Sequence, residues 1–271
     1  MKLKGKTIII TGASSGIGKA LAFEFAARGA NLVLAARQYV TLCEIAQLIE
    51  KQYSIRAVAV ACDVTVEADC EQLIKQAVLT FNQVDVLVNN AGISMRALFK
   101  DVELSVLKTI MDVNFWGMVY CTKYALPYIL KTKGSIVGVS SVAGYKGLPG
   151  RSGYSASKFA MNGFLEVLRI ENLNTGVHVL TAMPGFTASN IRNTALNKEG
   201  AQQGESNLDE HKMMTSEQVA KQIADGVESR RRVLVMTGQG KLTVLLNKFL
   251  PAWVDKLVYN VISKERDTLF K

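Results

Sequence analysis

The chain has 271 residues and a formal net charge of +9, with 49% hydrophobic and 20% charged residues. This balance supports one large α/β domain with a substantial core and excludes a disordered chain. The cysteines at 43, 62, 70 and 121 lack metal-site spacing, so we expect reduced thiols, no metal and a cytoplasmic location. The first predicted strand begins near Lys6, which predicts that there is no signal peptide.

Short β-branched runs alternate with amphipathic helical patterns along the chain. The predicted strands span residues 7–11, 31–35, 57–61, 84–89, 134–140, 178–183 and 233–236. The predicted helices span residues 18–28, 41–52, 67–81, 102–130, 153–174 and 216–229. Because the strands are nearly continuous apolar runs, they predict a seven-stranded parallel sheet with helices on both faces. We expect a single domain over 1–271, with a core at about 6–236 and a helical extension at about 237–271.

A glycine-rich turn follows the first predicted strand and opens the first predicted helix. It reads Thr11-Gly12-Ala13-Ser14-Ser15-Gly16-Ile17-Gly18. Glycines let a phosphate approach the backbone, and a helix N-terminus offers free N–H groups and a positive dipole end. The spacing is G-x-x-x-G-x-G rather than the more common G-x-G-x-x-G. Taken alone, the turn therefore fits either a phosphate site or a purely structural turn.

The end of the second predicted strand bears on the choice of cofactor. A strand that binds NAD carries a carboxylate there for the ribose 2′-OH, whereas this strand ends in Ala36-Arg37. Arg37 can pair with a 2′-phosphate through two hydrogen bonds. A solvated surface arginine is the competing interpretation. The sequence favours NADP(H) over NAD(H).

Tyr154 and Lys158 lie four residues apart in a predicted helix, and Ser141 and Asn114 precede them. Residues i and i+4 share a helix face, so we expect the Lys158 ammonium beside the Tyr154 phenol. A nearby cation lowers the pKa of a tyrosine from its usual value near 10. The set suits proton transfer to a carbonyl oxygen, although the Tyr–Lys pair alone is equally typical of an ordinary surface contact.

Taken together, these segments resemble the short-chain dehydrogenase/reductase family over about residues 6–235. The matching segments are the glycine-rich turn, Cys62-Asp63-Val64, Asn89-Asn90-Ala91-Gly92, Asn114, Ser140-Ser141, Tyr154 to Lys158, and Pro184-Gly185. The resemblance implies a Rossmann-like doubly wound fold, a homodimer or homotetramer, and hydride transfer between a nicotinamide cofactor and a carbonyl or alcohol carbon.

The resemblance also implies a role for each site residue. Tyr154 is the general acid and base, and Lys158 lowers its pKa and binds the cofactor ribose. Ser141 holds the substrate oxygen, and Asn114 positions a water molecule. The implied cofactor-binding residues are Gly12, Ser14, Ser15, Gly16, Ile17, Gly18, Arg37, Asp63, Val64, Asn90, Ala91, Gly92, Tyr154, Lys158, Pro184, Gly185 and Thr187.

The substrate pocket is expected to draw on residues 93–98, 142–150 and 186–215, the last as a lid. The apolar candidates in the first two segments are Ile93, Met95, Leu98, Val142, Tyr145 and Leu148. They favour a lipophilic ketone or secondary alcohol as substrate. Arg96 and Lys146 are the charged exceptions, and we interpret them as solvated rim charges rather than an anion site.

The extension combines apolar positions with lysines. Residues 230–271 hold nine Lys/Arg and three Asp/Glu, and so carry six of the nine net positive charges. Basic amphipathic helices can lie on a membrane surface, but they can equally pack on their own subunit or a partner. Pro251 and the charges exclude a bilayer span. Similar extensions occur in proteins resembling 11-beta-hydroxysteroid dehydrogenases and 3-ketodihydrosphingosine reductases. No recognition motif supports nucleic-acid binding.

Two classes of function remain at this point. The first is an NADP(H)-dependent oxidoreductase of lipophilic carbonyls, with a 3-oxoacyl thioester reductase as the alternative within the family. The second is a cofactor-binding regulatory protein without turnover, because one fold hosts unrelated functions. The intact set of Asn114, Ser141, Tyr154 and Lys158 favours the enzyme.

Overall fold

A parallel sheet forms the centre of the molecule. The computed structural model describes residues 1–188, 191–204, 213–264 and 269–270. The strands are β1 Thr7–Thr11, β2 Asn31–Ala36, β3 Ala57–Ala61, β4 Val86–Asn89, β5 Ser135–Val139, β6 His178–Met183, β7 Thr187–Ala188, β8 Met214–Thr215 and β9 Val233–Val235. The seven-stranded sheet has the order β3-β2-β1-β4-β5-β6-β9, and every neighbouring pair is parallel. The predicted fold class is confirmed.

Helices cover both faces of this sheet. They are α1 Gly16–Ala27, α2 Tyr39–Gln52, α3 Glu67–Phe81, α4 Leu104–Met111, α5 Gly117–Thr132, α6 Ser152–Glu171, α7 Ser216–Glu228, α8 Gly238–Phe249 and α9 Pro251–Ser263. One apolar core joins α1, α2 and α7 to the sheet, and a second joins α3, α5 and α6 to the opposite face. Side chains alternate along a strand, so Ile8 and Ile10 enter the first core and Ile9 the second.

The predicted helix over residues 102–130 is interrupted. The chain forms α4, then a π-helical turn at Asp112–Trp116, then α5. A π-turn bonds residue i to i+5 and so inserts one residue into the helix, often at a functional site. Residues 104–130 are helical as predicted, but the π-turn within them was not predicted, because no sequence motif marks it. Asn114 lies inside the inserted turn.

Two helices, α8 and α9, form the C-terminal extension. The Thr237 side chain caps α8 by accepting a hydrogen bond from the Gly240 N–H at 3.0 Å. Pro251 occupies the first turn of α9, where a missing N–H removes no helical hydrogen bond. Among the helices in the described ranges, none combines the length and hydropathy that a bilayer crossing needs.

The short strands β7 and β8 pair in parallel and join the two ends of the predicted lid. Thr187 pairs with Met214, and Ala188 pairs with Thr215. Residues 189–190 and 205–212 of that lid, Leu208 among them, lie outside the described residues.

Candidate active site

A cavity of about 1450 Å³ lies at the carboxyl ends of the central strands. Gly12, Asn90, Ser140 and Pro184 follow β1, β4, β5 and β6 respectively, and all four line it. Ligands of open parallel sheets bind in this crevice, beside the point where the strand order reverses. Every predicted cofactor residue lines the cavity, together with Ser141. Of the predicted catalytic and cofactor-binding residues, Asn114 alone is absent from the lining.

The glycine-rich turn forms a backbone cradle at one end of the cavity. Gly12 and Gly16 have positive φ angles of +65° and +50°, which side chains strongly disfavour. A Cβ on Gly18 would fall 2.1 Å from the Gly12 carbonyl oxygen. The N-terminus of α1 faces the same space, and its first turn carries no acidic residue. These features fit the pyrophosphate of a dinucleotide.

Hydrogen bonds join the glycine-rich turn to the loop after β4. The Thr11 hydroxyl accepts from the backbone N–H groups of Asn90 and Ala91, at 3.0 Å each. The Asn90 side chain donates back to the Thr11 and Gly12 carbonyl oxygens, at 2.9 and 3.2 Å. Four hydrogen bonds therefore hold the two loops together. Thr11 was not among the predicted site residues, although it stands immediately before Gly12 in the glycine-rich turn.

Another side of the cavity is shaped by the turn after β3, which carries the predicted cofactor residues Asp63 and Val64. Asp63 closes this turn by accepting hydrogen bonds from the Thr65 N–H and hydroxyl, at 3.0 and 2.8 Å. Val64 is buried, and a Cβ on Gly117 would fall 2.8 Å from its side chain. Gly117 therefore allows α5 to approach this turn closely.

Arg37 lies at the mouth of the same end. Its side chain is exposed and lines the cavity beside Ala36. The neighbouring Gln38 also lines the cavity and accepts a hydrogen bond from the Ser14 hydroxyl at 3.0 Å. The Arg37 guanidinium, with its several N–H donors, therefore lies at the edge of the glycine-rich cradle. This is the position that the sequence predicts for it.

Segment 184–187 closes another side of the cavity. The Thr187 hydroxyl donates to the Gly185 carbonyl oxygen at 3.2 Å, and Thr187 is buried. A Cβ on Gly185 would fall 2.8 Å from the Thr237 methyl group. This segment therefore packs directly against the start of the C-terminal extension.

Tyr154, Lys158 and Ser141 converge on the middle of the cavity. Tyr154 and Lys158 lie one turn apart on α6, and the Lys158 ammonium lies over the Tyr154 ring, 5.7 Å from its centroid. Ser141 follows β5 and lines the same space, where its hydroxyl acts to lower the pKa of Tyr154. The Lys158 Nζ donates to the Val139 carbonyl oxygen at 2.9 Å. The Ser141 hydroxyl, the Tyr154 phenol and the Lys158 amine thus border the same part of the cavity.

Burial controls the protonation of both Tyr154 and Lys158. Burial raises the pKa of the Tyr154 phenol, and the Ser141 hydrogen bond and the Arg151 charge lower it in part. Burial also lowers the pKa of Lys158 to about 7. The prediction that Tyr154 has a lowered pKa was wrong for this arrangement, because the loss of hydration outweighs the nearby groups. Tyr154 therefore holds its proton at neutral pH.

Asn114 lies behind the cavity and braces its wall. Its Oδ1 accepts from the Ile93 N–H at 2.8 Å, and its Nδ2 donates to the Ile93 carbonyl oxygen and the Ser157 hydroxyl, at 3.0 and 2.9 Å. The Ser157 hydroxyl donates to the Tyr154 carbonyl oxygen at 2.7 Å. Asn114 thereby ties the loop after β4 to the first turn of α6. Its predicted water-positioning role stays a prediction.

The substrate end only partly matches the predicted lining. Ile93, Val142 and Leu148 line the cavity, whereas Met95, Leu98 and Tyr145 do not. From the described part of the lid, the lining residues include Ile191, Leu196, Met213 and Met214. Sequence analysis missed the contributions of α4, which include Val106 and Thr109, because no motif marks them.

The inner face of the C-terminal helix pair forms the far wall. The apolar lining residues of α8 and α9 are Leu242, Leu246, Trp253, Val254, Leu257, Val258, Val261 and Ile262. This face borders the cavity, and both interpretations of the extension, membrane contact and packing on protein, stay open. The amphipathic pattern was visible in the sequence, but the cavity behind it was not.

Lys146 is not the solvated rim charge that the sequence suggested. It is 8% exposed. Its Nζ donates to the Asn247 Oδ1 at 3.0 Å and forms an ion pair with Asp255 of α9. The prediction was wrong because both partners lie about 100 positions away in the sequence, and the fold of the extension brings them together. Arg96, the other predicted rim charge, is half-buried and does not line the cavity.

The sequence of the chain is similar to that of known proteins. A family model described as short chain dehydrogenase matches residues 6–200. The chain is 44% identical over 196 residues to a protein of Arabidopsis thaliana named 11-beta-hydroxysteroid dehydrogenase-like 4A. That alignment covers 72% of this chain and spans 65% of the length of the relative.

Solved structures share the fold. A short-chain dehydrogenase/reductase from Burkholderia phymatum in complex with NAD has a TM-score of 0.80 at 24% identity, over 92% of this chain and 94% of that chain. An alcohol dehydrogenase from Thermococcus sibiricus complexed with 5-hydroxy-NADP has a TM-score of 0.74 at 23% identity, over 86% and 95% of the two chains.

Proposed function

Because this chain belongs to the short-chain dehydrogenase family, we propose that it is an NADP(H)-dependent oxidoreductase that interconverts a lipophilic ketone and a secondary alcohol. One observation carries the proposal: a single cavity joins the glycine-rich turn to Tyr154 and continues onto the apolar wall of α8 and α9. The plant relative is named for a steroid dehydrogenase, and a steroid is a lipophilic substrate of this kind.

The residues of the chain divide the chemistry between them. When bound, the nicotinamide cofactor supplies or accepts the hydride. Tyr154 donates its proton to the carbonyl oxygen during reduction, and its phenolate accepts the proton of the alcohol during oxidation. Ser141 donates a hydrogen bond to the same substrate oxygen and stabilises the charge that develops there. Lys158, with a pKa of about 7, can exchange a proton near neutral pH and so restore the protonation state of Tyr154.

Different groups of the chain would hold the two ends of the cofactor. The backbone of Gly12 to Gly18 and the N-terminus of α1 suit the pyrophosphate. Asp63 and Val64 suit the adenine, and the segment from Pro184 to Thr187 suits the carboxamide. Arg37 would pair with the 2′-phosphate of NADP(H), because a guanidinium matches phosphate oxygens with two donors.

Fluorescence titration of NADPH and NADH against wild type and Arg37→Ala tests the cofactor preference. We expect wild type to bind NADPH at least about tenfold more tightly, a charge-assisted hydrogen bond being worth about 1.5–3 kcal/mol. Arg37→Ala should remove most of that preference and leave NADH affinity within about twofold. Lys19→Ala is the matched control, because Lys19 is an exposed cation beside the glycine-rich turn that does not line the cavity.

Tighter binding of NADH that is insensitive to Arg37→Ala would replace the proposal with an NAD-linked alcohol oxidation. Binding of neither nucleotide would contradict the oxidoreductase, whereas nucleotide binding without turnover of any substrate would favour the regulatory protein. Steady-state turnover of steroid and sphingoid ketones, compared with 3-oxoacyl thioesters, then tests the substrate class. Saturable turnover of the thioesters alone would identify the acyl thioester reductase.

Exposed apolar residues support a homo-oligomer. Trp116, Phe159, Val167 and Ile170 are between 44% and 59% exposed and lie on α6 or directly before α5. Sedimentation equilibrium on wild type and Ile170→Glu tests a dimer or tetramer through this face. A wild type that stays monomeric at micromolar concentration would contradict the assembly.

The outer face of α8 and α9 supports peripheral membrane contact. Leu245 and Phe249 are 55% and 75% exposed, and exposed lysines at 241 and 248 lie on the same helix. Co-sedimentation with anionic and neutral vesicles tests this contact. Binding to neither vesicle, or binding unaffected by Phe249→Ser, would contradict it.

A further inference from the structure

The C-terminal helix pair stands over the cavity with little buried surface of its own. Within α8 and α9, which the structure describes in full, the buried residues are Gly240 and Val254. The wall residues Leu242 and Trp253 remain 55% and 50% exposed. Stability varies across a structure, and segments with little apolar burial open most easily. Specific polar contacts therefore have a large influence on the position of this wall.

Those polar contacts converge on the segment that follows Ser141. Lys146 donates to Asn247 of α8 at 3.0 Å and pairs with Asp255 of α9. The Asn247 Nδ2 donates to the Tyr145 carbonyl oxygen at 3.3 Å. Near the start of α8, a Cβ on Gly240 would fall 2.9 Å from the Val142 side chain. Residues 142–146 thus contact both helices.

The Lys146–Asp255 pair is asymmetric. The Lys146 side chain is 10% exposed, whereas the Asp255 side chain is 67% exposed. A buried ammonium is strongly destabilising unless it is paired, and removal of one partner leaves the other uncompensated. Loss of the Asp255 charge therefore favours any arrangement that rehydrates Lys146. Movement of α8 and α9 away from the cavity is one such arrangement, because Lys146 contacts both helices.

We propose that Lys146 holds the C-terminal helix pair against the segment that carries Ser141, and we call this contact the latch. Through it, Lys146 is a positioning residue for bulky lipophilic substrates. The inference rests on the proposed function for its account of the substrate. Lys146 follows Ser141 by five positions, and the 3-10 turn Val142–Gly144 connects them. The position of the wall and the position of Ser141 are therefore set by one short segment.

Hydrogen exchange tests the latch without any turnover. We compare the full-length wild type with Lys146→Met, Asp255→Asn and the charge exchange Lys146→Asp with Asp255→Lys. Peptides from 238–263 should exchange at least about tenfold faster in the two single variants, while peptides from β4 and β5 keep their protection. The charge exchange should restore most of the protection. Lys248→Met, which removes an exposed lysine of α8, should match wild type.

Two results would overturn the latch. The first is unchanged exchange of 238–263 in both single variants. The second is faster exchange across the sheet as well, with no recovery in the charge exchange, because that pattern reports general destabilisation. Neither result depends on whether the protein turns over a ketone, so the latch and the proposed function fail separately.

Kinetics then tests the link to substrate size. For a steroid ketone, Lys146→Met should raise KM about five- to twentyfold and change kcat less than twofold. The KM for cyclohexanone, which is too small to reach the far wall, should change less than twofold. The charge exchange should lower the raised KM toward the wild-type value. An equal rise of KM for both ketones, or a fall in kcat alone, would remove Lys146 from substrate positioning.

Discussion

The nucleotide end and the substrate end of the cavity are built in different ways. At the nucleotide end, backbone conformation and mutual hydrogen bonds of two loops define the surface, as with Gly12, Thr11 and Asn90. At the substrate end, side chains of α8 and α9 define it, and many of them are half-exposed. The first surface tolerates almost no change of shape, whereas the second can vary with its side chains.

This contrast separates two functions of the molecule. The nucleotide end recognises a ligand of fixed shape, so rigid backbone serves it well. The substrate end rests on few buried contacts and on the pairing of Lys146 with Asp255. A wall of that kind can change with the substrate while the sheet and the glycine-rich turn stay unchanged. The predictions below test whether the two ends respond as differently as they are built.

The largest loss of activity is expected for a substitution of Tyr154, which lies between the nucleotide end and the substrate end of the cavity. Tyr154→Phe removes the proton donor and keeps the ring, so kcat should fall about 10²–10⁴-fold. NADPH affinity should stay within about twofold, because the cradle is unaltered. Tyr128→Phe, on α5 away from the cavity, is the control for loss of a phenol. Residual activity above a tenth of wild type would assign the proton transfer to another group.

Two glycines at helix starts give a matched comparison of the ends. Gly18→Ala places a Cβ 2.1 Å from the Gly12 carbonyl oxygen, so NADPH affinity should fall more than about tenfold and stability by about 1–3 kcal/mol. Gly238 of α8 has no atom within 4 Å of an added Cβ, so Gly238→Ala should be neutral or stabilising by up to about 1 kcal/mol. Denaturant unfolding measures the stability of both variants, and nucleotide titration measures their NADPH affinity. Similar losses in Gly18→Ala and Gly238→Ala would contradict the difference between the two ends of the cavity.

The pH dependence of stability tests the buried amine between the ends. The pKa of Lys158 is lowered from 10.5 to about 7, so between these values the unfolded chain binds a proton that the folded chain does not. The stability of wild type relative to Lys158→Met should therefore rise with pH, by about 1.4 kcal/mol per pH unit. Between pH 7.5 and 9 the expected gain is about 2 kcal/mol. Denaturant unfolding at pH 6, 7.5 and 9 measures it, and parallel profiles would mean that Lys158 keeps an ordinary pKa.

The two ends also differ in how much the sequence predicted. The glycines of the nucleotide end lie within one short segment, so Gly12, Gly16 and Gly18 were visible as a motif. The alternating strands and helices predicted the sheet for the same reason, because each element carries its own apolar period. The π-turn around Asn114 was not predicted, because the elements on both sides of it are ordinary α-helix.

The substrate end depends on contacts between distant segments, which no local pattern contains. Lys146 and Asp255 are 109 positions apart, so their pairing follows only from the folded arrangement of α8 and α9. Nor did the sequence predict that burial would outweigh neighbouring groups in setting the pKa of Tyr154. Burial depends on every element packed around the phenol, whereas the motif contains only its nearest neighbours in the chain.

The smallest expected effect tests the far wall itself. Leu246 lines the cavity, whereas its neighbour Leu245 is 55% exposed and does not. Leu246→Ala removes apolar contact with a bulky substrate, so kcat/KM for a steroid ketone should fall about three- to tenfold, in line with about 1 kcal/mol of lost burial. Leu245→Ala should leave it within twofold, and NADPH affinity should stay constant in both variants. Equal effects of the two substitutions would mean that substrate does not reach α8, and the apolar wall would then serve only to cover the core.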